Sequence, residues 1–310
     1  MFNIGVFMTH KHGTLFGNTA LTLTALIWGS SFVSQKASMD LIGPFTFLTS
    51  RSLLAFIFLL IVIIVKSRFN LPVITTAPKA DKNPSLIKGG VICGCVIFLA
   101  AGIQQVGIVH TSASKAGFIT AIYVVFVPIL GVFLKHKIQK QIWFSISLVA
   151  IGLYLLCITE SFSMNRSDIL VLVGSLFWGI QIMVVDYYSP NLDCIKLSCI
   201  QFATCFVLSS AVTLITETPD IHAIFKCGIH IIYAGVFASG IAFTLQMVGQ
   251  KFARASVACI IMSLESVFAA FSGMLLLGES LTLRESTGCI LVFLAIITAQ
   301  VPFPLSKKVD

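Results

Sequence analysis

One acidic side chain, Glu265, lies near the middle of an apolar stretch that runs from Ala255 to Ser280. The stretch is long enough to cross the hydrocarbon core of a bilayer, which is about 30 Å thick. A lone carboxylate at that depth costs at least about 2.5–3.5 kcal/mol, so a chain keeps one where it meets a partner, a cavity or a substrate. Glu265 is therefore a candidate proton-binding or amine-binding group. The alternative is a structural carboxylate that ties helices together.

The composition indicates a membrane protein with many spans. Of 310 residues, 57% are hydrophobic and only 10% are charged, and the mean hydropathy is +1.00. A soluble domain carries about 25% charged residues, so no large soluble domain fits in this chain. The net charge of +8 is then a topology signal and does not indicate nucleic acid binding.

The sequence contains no motif that is typical of a cofactor-binding or metal-binding site. The nine cysteines form neither a C-x-x-C motif nor a Cys/His cluster, which predicts buried, reduced thiols and no metal site. The sequence contains no phosphate-binding loop with its lysine, which excludes an ATP-driven step within this chain. We therefore expect no cofactor.

Ten apolar segments are predicted to cross the bilayer as helices. They are Leu15–Gln35, Pro44–Val65, Ile87–Val109, Ala116–Leu134, Ile142–Thr159, Asp168–Tyr188, Ile195–Thr216, Ile229–Gly249, Val257–Leu277 and Leu283–Val301. The longest connection, Lys66–Leu86, contains prolines and lysines, as is typical of a surface loop. Basic residues number fourteen on one side and five on the other, which predicts that both termini are cytoplasmic.

The second half of the chain repeats the first. A shift of 150 residues places Ala25–Gly29 on Ser175–Gly179. Beyond the long loop the shift becomes 142 and places Gln104 on Gln246. Several matches on one register are hard to obtain by chance, even in apolar sequence.

An odd number of helices in each repeat determines how the two copies are oriented. Five helices in each copy require the second copy to enter from the opposite side, so we predict inverted repeats over residues 1–160 and 161–310. Inverted repeats are characteristic of secondary transporters, whose substrate site lies near the midplane between the repeats. The 142 shift makes Tyr123 the counterpart of Glu265.

Three stretches resemble the drug/metabolite transporter superfamily, in its EamA-type ten-helix branch. They are Trp28–Phe32 (WGSSF), Ala113–Pro128 (ASKAGFITAIYVVFVP) and Gly240–Glu279, which includes SLESVFAA and LGE. Two positions depart from the family pattern, because Ser266 and Val124 stand where proline is common. A proline kink beside Glu265 is thus in doubt, and Pro128 is expected to kink the fourth helix one turn later.

The resemblance implies an all-α integral membrane protein with ten transmembrane helices in two inverted five-helix repeats. It implies a secondary transporter of the inner membrane that moves a small polar or zwitterionic metabolite by alternating access, with amino acid export as one case. Its expected partners are the small-molecule substrate and the lipid bilayer, with no nucleic acid. Proton coupling through Glu265 and facilitated diffusion are equally compatible with the sequence. The substrate, direction of transport and oligomeric state stay open.

Polar and aromatic side chains within the apolar helices are the further candidates for substrate binding, because such groups face the bundle interior. With Glu265 they are Trp28, Ser31, Gln35, Arg51, Gln104, Thr120, Tyr123, Trp178, Gln181 and Gln246. Arg51 is expected to pair with Glu265 or to attract a substrate carboxylate; its alternative is snorkelling to the interface. For the tryptophans, Tyr123 and the glutamines, the alternatives are helix packing and interhelical hydrogen bonding.

Two other functional classes would require features of their own in the sequence. An intramembrane enzyme or lipid-handling protein would need a nucleophile–base pair or a metal cluster within the helices, whereas the six histidines lie at or near helix ends and loops. A pore would need rings of like charge or a carbonyl filter, and the sequence suggests neither. We therefore expect no enzymatic activity.

The distribution of basic residues makes a direct prediction about topology. Reporter fusions placed after Lys140 and after Lys308 should both report a cytoplasmic location. A periplasmic signal at either position would contradict both the orientation and the odd number of helices in each repeat.

Overall fold

The computed structural model describes residues 10–69, 84–111, 113–136, 138–157, 165–277 and 282–300. Within them the chain forms ten principal helices. They are α1 (His10–Ser38), α2 (Pro44–Arg68), α3 (Leu86–Ile108), α4 (Ala113–Ala121 and Tyr123–Phe133), α5 (Lys140–Cys157), α6 (Arg166–Tyr188), α7 (Cys194–Thr216), α8 (Gly228–Gln250), α9 (Ala255–Met262 and Leu264–Leu277) and α10 (Leu283–Gln300). A short helix, Ile221–Lys226, precedes α8. The predicted all-α architecture is confirmed.

Eight of these helices, all except α1 and α5, are long and apolar enough to cross a membrane. The apolar part of α5, Lys140–Leu156, is shorter, and α1 extends beyond its predicted bounds at both ends. Large apolar side chains also cover the outer surface, as at Ile64 (59% exposed) and Leu214 (79% exposed). Helices that are apolar all round are typical of a bundle surrounded by lipid.

The helices pack in pairs that follow a two-fold pattern. Helix α3 packs on α6 as α8 packs on α1, α3 packs on α7 as α8 packs on α2, and α4 packs on α6 as α9 packs on α1. The remaining large contacts, α2 with α7 and α5 with α10, join equivalent helices. Exchanging each helix with the one five places later therefore reproduces the packing. The predicted domain boundary at residue 160 lies outside the described residues.

Close approaches at glycines show the same correspondence at single residues. A Cβ added to Gly107 would meet Val171 and the Ser167 carbonyl at 2.5 and 2.9 Å. A Cβ added to Gly249 would meet Leu21 and the Gly17 carbonyl at 2.6 and 3.0 Å. The glycines differ by 142 residues and their partners by 150, so the two helix crossings match in both predicted registers.

A π-helical segment in α8, Tyr233–Ile241, breaks this correspondence. Gly94 in α3 approaches the Gln201 carbonyl, whereas Gly235 in α8 approaches the Arg51 carbonyl. Their partners again differ by 150 residues, but these glycines differ by 141. Helix α8 therefore contains one extra residue between Gly235 and Gly249, as a π-helical insertion requires.

Helices α4 and α9 are both interrupted near their middles, at Ile122 and at Ser263. The chain makes shorter i→i+3 bonds there, from the Val125 N–H to the Ile122 carbonyl and from the Ser266 N–H to the Ser263 carbonyl. Neither interruption needs a proline, and Pro128 lies inside the second segment of α4. The interruptions lie one residue before Tyr123 and two residues before Glu265, and the new helical segments start at Tyr123 and at Leu264.

Gly29 sets the closest approach between α1 and α9. A Cβ at this position would collide with the carbonyl oxygen of Glu265 and would lie 2.9 Å from the amide nitrogen of Ala269. Backbone atoms cannot move aside as a flexible side chain can, so only glycine allows this crossing.

We expect Gly29→Ala to force α1 and α9 apart and to destabilise the protein by about 1–3 kcal/mol, the usual cost of overpacking. The matched control is Gly117→Ala in α4, where the added methyl group meets only the Phe32 ring at 3.8 Å. Unfolding of both variants in detergent measures the difference. Equal stability of the two would contradict the proposed crossing.

Candidate functional site

A cavity lies among α1, α2, α3, α4, α6, α8 and α9. It has about 510 Å³ of empty space, open solvent at its mouth included. Ten of the eleven candidate residues line it: Trp28, Ser31, Gln35, Arg51, Gln104, Thr120, Tyr123, Trp178, Gln181 and Glu265. The eleventh, Gln246, is hydrogen-bonded to Gln181. The structure thus brings the candidates selected from the sequence together around one cavity.

Four apolar residues complete the lining: Phe32, Ile182, Ala238 and Phe243. Phe32 belongs to the α1 face that carries Trp28 and Ser31, and the 150 shift makes Ile182 its counterpart. Sequence reasoning missed Ala238 and Phe243. Both are apolar residues in an apolar helix, so no local signal distinguishes them from lipid-facing positions.

Glu265 lies in the first turn of the second segment of α9, and only 3% of its surface is exposed. Among the described residues, its Oε1 atom has no hydrogen-bond partner. Tyr123, the first residue of the second segment of α4, places its hydroxyl near enough for an electrostatic interaction, but no hydrogen bond of ordinary geometry joins them.

Arg51 does not pair with Glu265, contrary to one of our expectations. Within the described residues the ion pairs shorter than 4 Å are Lys66–Asp193 and Lys115–Asp168. The Arg51 side chain does not reach the interface either, because it is 7% exposed and lines the cavity. Its guanidinium lies 5.7 Å from the Phe47 ring centroid, and its Nε atom has no described partner. The interior thus holds a cation and an acid that have no counter-ion among the described residues.

Three aromatic rings form one wall of the cavity. The Phe243 ring lies 4.7 Å from that of Trp28 and 5.8 Å from that of Trp178, and the two indoles are 6.4 Å apart. These centroid distances are typical of packed aromatic clusters. The wall therefore offers a rigid apolar surface next to the polar groups.

The two tryptophans occupy equivalent positions but their indole N–H groups differ. Trp28 Nε1 donates to the Ala238 carbonyl at 3.0 Å. Trp178 Nε1 is buried and has no partner among the described residues. Ala238 lies in the π-helical segment of α8, and α3, the equivalent helix, continues as a regular α-helix. The inserted residue thus explains why Trp28 has a carbonyl partner and Trp178 has none.

The glutamines are arranged differently in the two halves of the interior. Gln104 Nε2 donates to Thr120 Oγ1 at 2.6 Å. Its counterpart Gln246 exchanges two hydrogen bonds with Gln181, at 2.9 and 3.3 Å. Gln181 therefore belongs both to the cavity lining and to a link between α6 and α8.

The cavity extends into only one half of the two-fold interior. We call the part lined by Gln35, Arg51, Gln104 and Thr120 the open half. Their counterparts are Val185, Gln201, Gln246 and Met262, each fully buried and none in the lining; we call this part the closed half. The cavity is thus one-sided although the helices around it are nearly symmetric.

Comparisons with known proteins match the whole architecture. The model of the EamA-like transporter family matches residues 15–158 and again residues 165–299. An uncharacterized transporter of Archaeoglobus fulgidus is 32% identical over 290 residues, which are 91% of this chain and 85% of that protein. Uncharacterized transporter YoaV of Bacillus subtilis is 21% identical over 290 residues, 91% of this chain and 96% of that protein. A protein of known crystal structure shares the fold with a TM-score of 0.74 at 12% identity, covering 94% of this chain and 97% of that one.

The unequal indoles make a prediction about stability. Trp28→Phe should cost about 1 kcal/mol more than Trp178→Phe, because only the first removes a hydrogen bond to a buried carbonyl. Both substitutions remove similar volume from the same aromatic wall, so each serves as the control for the other. Chemical unfolding in detergent measures the difference, and a larger loss for Trp178→Phe would show that the assignment is wrong.

Proposed function

The chain belongs to the EamA-like transporter family, and on that premise we propose that it is a secondary transporter of small zwitterionic metabolites. Amino acids are the first class to consider. The protein would be a multi-pass component of the inner membrane with both termini in the cytoplasm. The basic-residue count supports that orientation, and the eight long apolar helices support the multi-pass arrangement.

One observation carries the choice of a zwitterion: Arg51 and Glu265 line the same cavity without a protein counter-ion among the described residues. Removing one charge from water without a partner costs several kcal/mol. A zwitterion supplies both partners at once, with its carboxylate toward Arg51 and its ammonium group toward Glu265. Such charge-assisted hydrogen bonds are about twice as strong as neutral ones.

The remaining lining residues define the other features of the proposed substrate. Trp178 Nε1 is a free donor that can add a second hydrogen bond to an acceptor on the substrate. The wall of Trp28, Trp178 and Phe243 is suited to an apolar substituent. The empty space includes the mouth of the cavity, which favours a small solute over a large one.

The one-sided cavity supports alternating access. The closed half holds the symmetry counterparts of the residues that line the open half, so exchanging the conformations of the two repeats would move the cavity to the other side. By the basic-residue count, the open half faces the periplasm. In this proposal Glu265 and Tyr123 stay at the centre in both states.

The proposal is tested with purified protein in liposomes. Uptake of labelled glycine, alanine, leucine, phenylalanine, glutamate and lysine is measured with and without a pH gradient, beside amines and carboxylic acids that carry only one of the two charges. We expect zwitterions to exceed both single-charge groups. Transport of an amine or an acid alone at the same rate would contradict the zwitterion assignment.

We expect Glu265→Gln and Arg51→Gln each to weaken binding of the best zwitterion by about 1.5–3 kcal/mol, the scale of a lost charge-assisted hydrogen bond. Glu265→Gln keeps the shape and removes titration, so it should also abolish any pH dependence of flux. Lys66→Gln is the matched control, because it removes a charge whose Asp193 partner lies away from the cavity.

The same Glu265→Gln variant separates three roles for this residue. Weaker binding favours direct contact with the substrate amine, and loss of pH dependence with intact binding favours proton coupling. If binding and pH-dependent flux are both unchanged while thermal stability falls, Glu265 is structural and leaves the proposed site.

A further inference from the structure

In the closed half, helices α6 and α8 are joined by a reciprocal pair of amide hydrogen bonds. Gln246 Nε2 donates to Gln181 Oε1 at 2.9 Å, and Gln181 Nε2 donates to Gln246 Oε1 at 3.3 Å. Both side chains are fully buried. One turn further along α8, Gln250 Nε2 donates to the Ile182 carbonyl of α6 at 2.9 Å. Separating the two helices would break these three hydrogen bonds, and the water that enters replaces the lost partners only at a net cost.

At the positions equivalent to Gln181 and Gln246 the open half has no such link, because the two-fold relation places serine where the closed half has glutamine. Within the described residues, helices α1 and α3 are joined by hydrogen bonds only at their ends, where Lys36 Nζ donates to the Ile108 and Val109 carbonyls at 3.1 and 2.9 Å. Ser31 is the counterpart of Gln181, and Gln104 is the counterpart of Gln246. The Ser31 hydroxyl donates to the Trp28 carbonyl at 2.8 Å within its own helix. Gln104 turns instead to Thr120 in α4. Of the two equivalent helix pairs, α6 with α8 is joined across the interior and α1 with α3 is not joined at these positions.

We propose that the Gln181–Gln246 pair is a latch that holds the closed half shut, and that Ser31 leaves the open half without one. The difference of one side chain between the repeats would then bias the transporter toward the state with its cavity in the open half. Gln181 and Gln246 act here as positioning residues, since their effect is on which half is accessible. The inference rests on the alternating access proposed above, but its test requires no substrate.

Two cysteine reporters follow the two halves separately. Gln35→Cys places a thiol in the lining of the open half, and Val185→Cys places one at the equivalent position in the closed half. Protein purified in detergent is exposed to a water-soluble maleimide, which reaches both sides. The protein without either reporter provides the background; among the described native cysteines only Cys95 is exposed. We expect Gln35→Cys to react at least about tenfold faster than Val185→Cys.

Removing the latch should make the closed half accessible. Combined with Val185→Cys, the change Gln181→Met keeps an unbranched side chain of similar length and removes the amide. The labelling rate of the Val185→Cys reporter should rise about tenfold. This corresponds to a shift of about 1.4 kcal/mol in the equilibrium between the states with the closed half shut and open. Gln246→Met, which removes the other partner of the same pair, should have the same effect and provides a second variant if the first does not fold.

A latch built into the open half should make that half less accessible. Ser31→Gln places a glutamine at the position equivalent to Gln181, and Gln104 already occupies the position equivalent to Gln246. We expect slower labelling of the Gln35→Cys reporter and faster labelling of the Val185→Cys reporter, each by several fold. Ser31→Met is the matched control, because it adds the same bulk without an amide and should not reproduce the shift.

The outcomes separate the latch from the proposed mechanism as a whole. Equal labelling of Val185→Cys with and without Gln181 and Gln246, in protein that elutes as a folded species, overturns the latch but leaves alternating access in place. A shift with Ser31→Met as large as that with Ser31→Gln also overturns it, because bulk alone would then explain the effect. If Val185→Cys reacts in no variant at all, both the latch and alternating access are wrong.

Discussion

The interior of this bundle excludes water, and every polar group within it must find a partner or remain costly. Most side chains meet that constraint locally, as Thr24 does with carbonyls of its own helix and of α8. A few do not: Arg51 Nε, Gln35 Oε1, the Tyr123 hydroxyl, one Glu265 oxygen and the Trp178 indole N–H are buried without described partners at the same cavity. A protein would lose these groups if stability were the only requirement, because apolar replacements cost less. Their presence together is the physical argument for a ligand that completes them.

Near-symmetry and its exceptions together explain the architecture. The crossings at Gly107 and Gly249 show how closely the second repeat follows the first. Several exceptions then distinguish the halves, among them the π-helical residue in α8, serine at 31 against glutamine at 181, and arginine at 51 against glutamine at 201. All three affect residues at or beside the cavity. These differences make the two halves of the interior unequal in chemistry.

The interrupted helices show how backbone geometry serves the site. Proline is absent at the two expected positions, Val124 and Ser266, yet α4 and α9 are both interrupted just before Tyr123 and Glu265. Short i→i+3 bonds and the close approach of α1 at Gly29 accompany these interruptions. The break itself, and not a proline, thus places Tyr123 and Glu265 in the first turns of new helical segments.

The sequence by itself determined the ten helices, the two registers of the repeat and ten of the residues that line the cavity. It could do so because lone polar groups in apolar helices must face inward, and because a repeated register relates positions far apart in the chain. Only the tertiary structure decided that Arg51 and Glu265 remain unpaired, that Ala238 and Phe243 complete the lining, and that Gln181 bonds Gln246. Pairing depends on side-chain distances of a few ångströms. The one-residue insertion in α8, which directs the Ala238 carbonyl toward Trp28, leaves no signal in composition or hydropathy. Such distances arise when helices from both repeats come together, so no single stretch of sequence contains them.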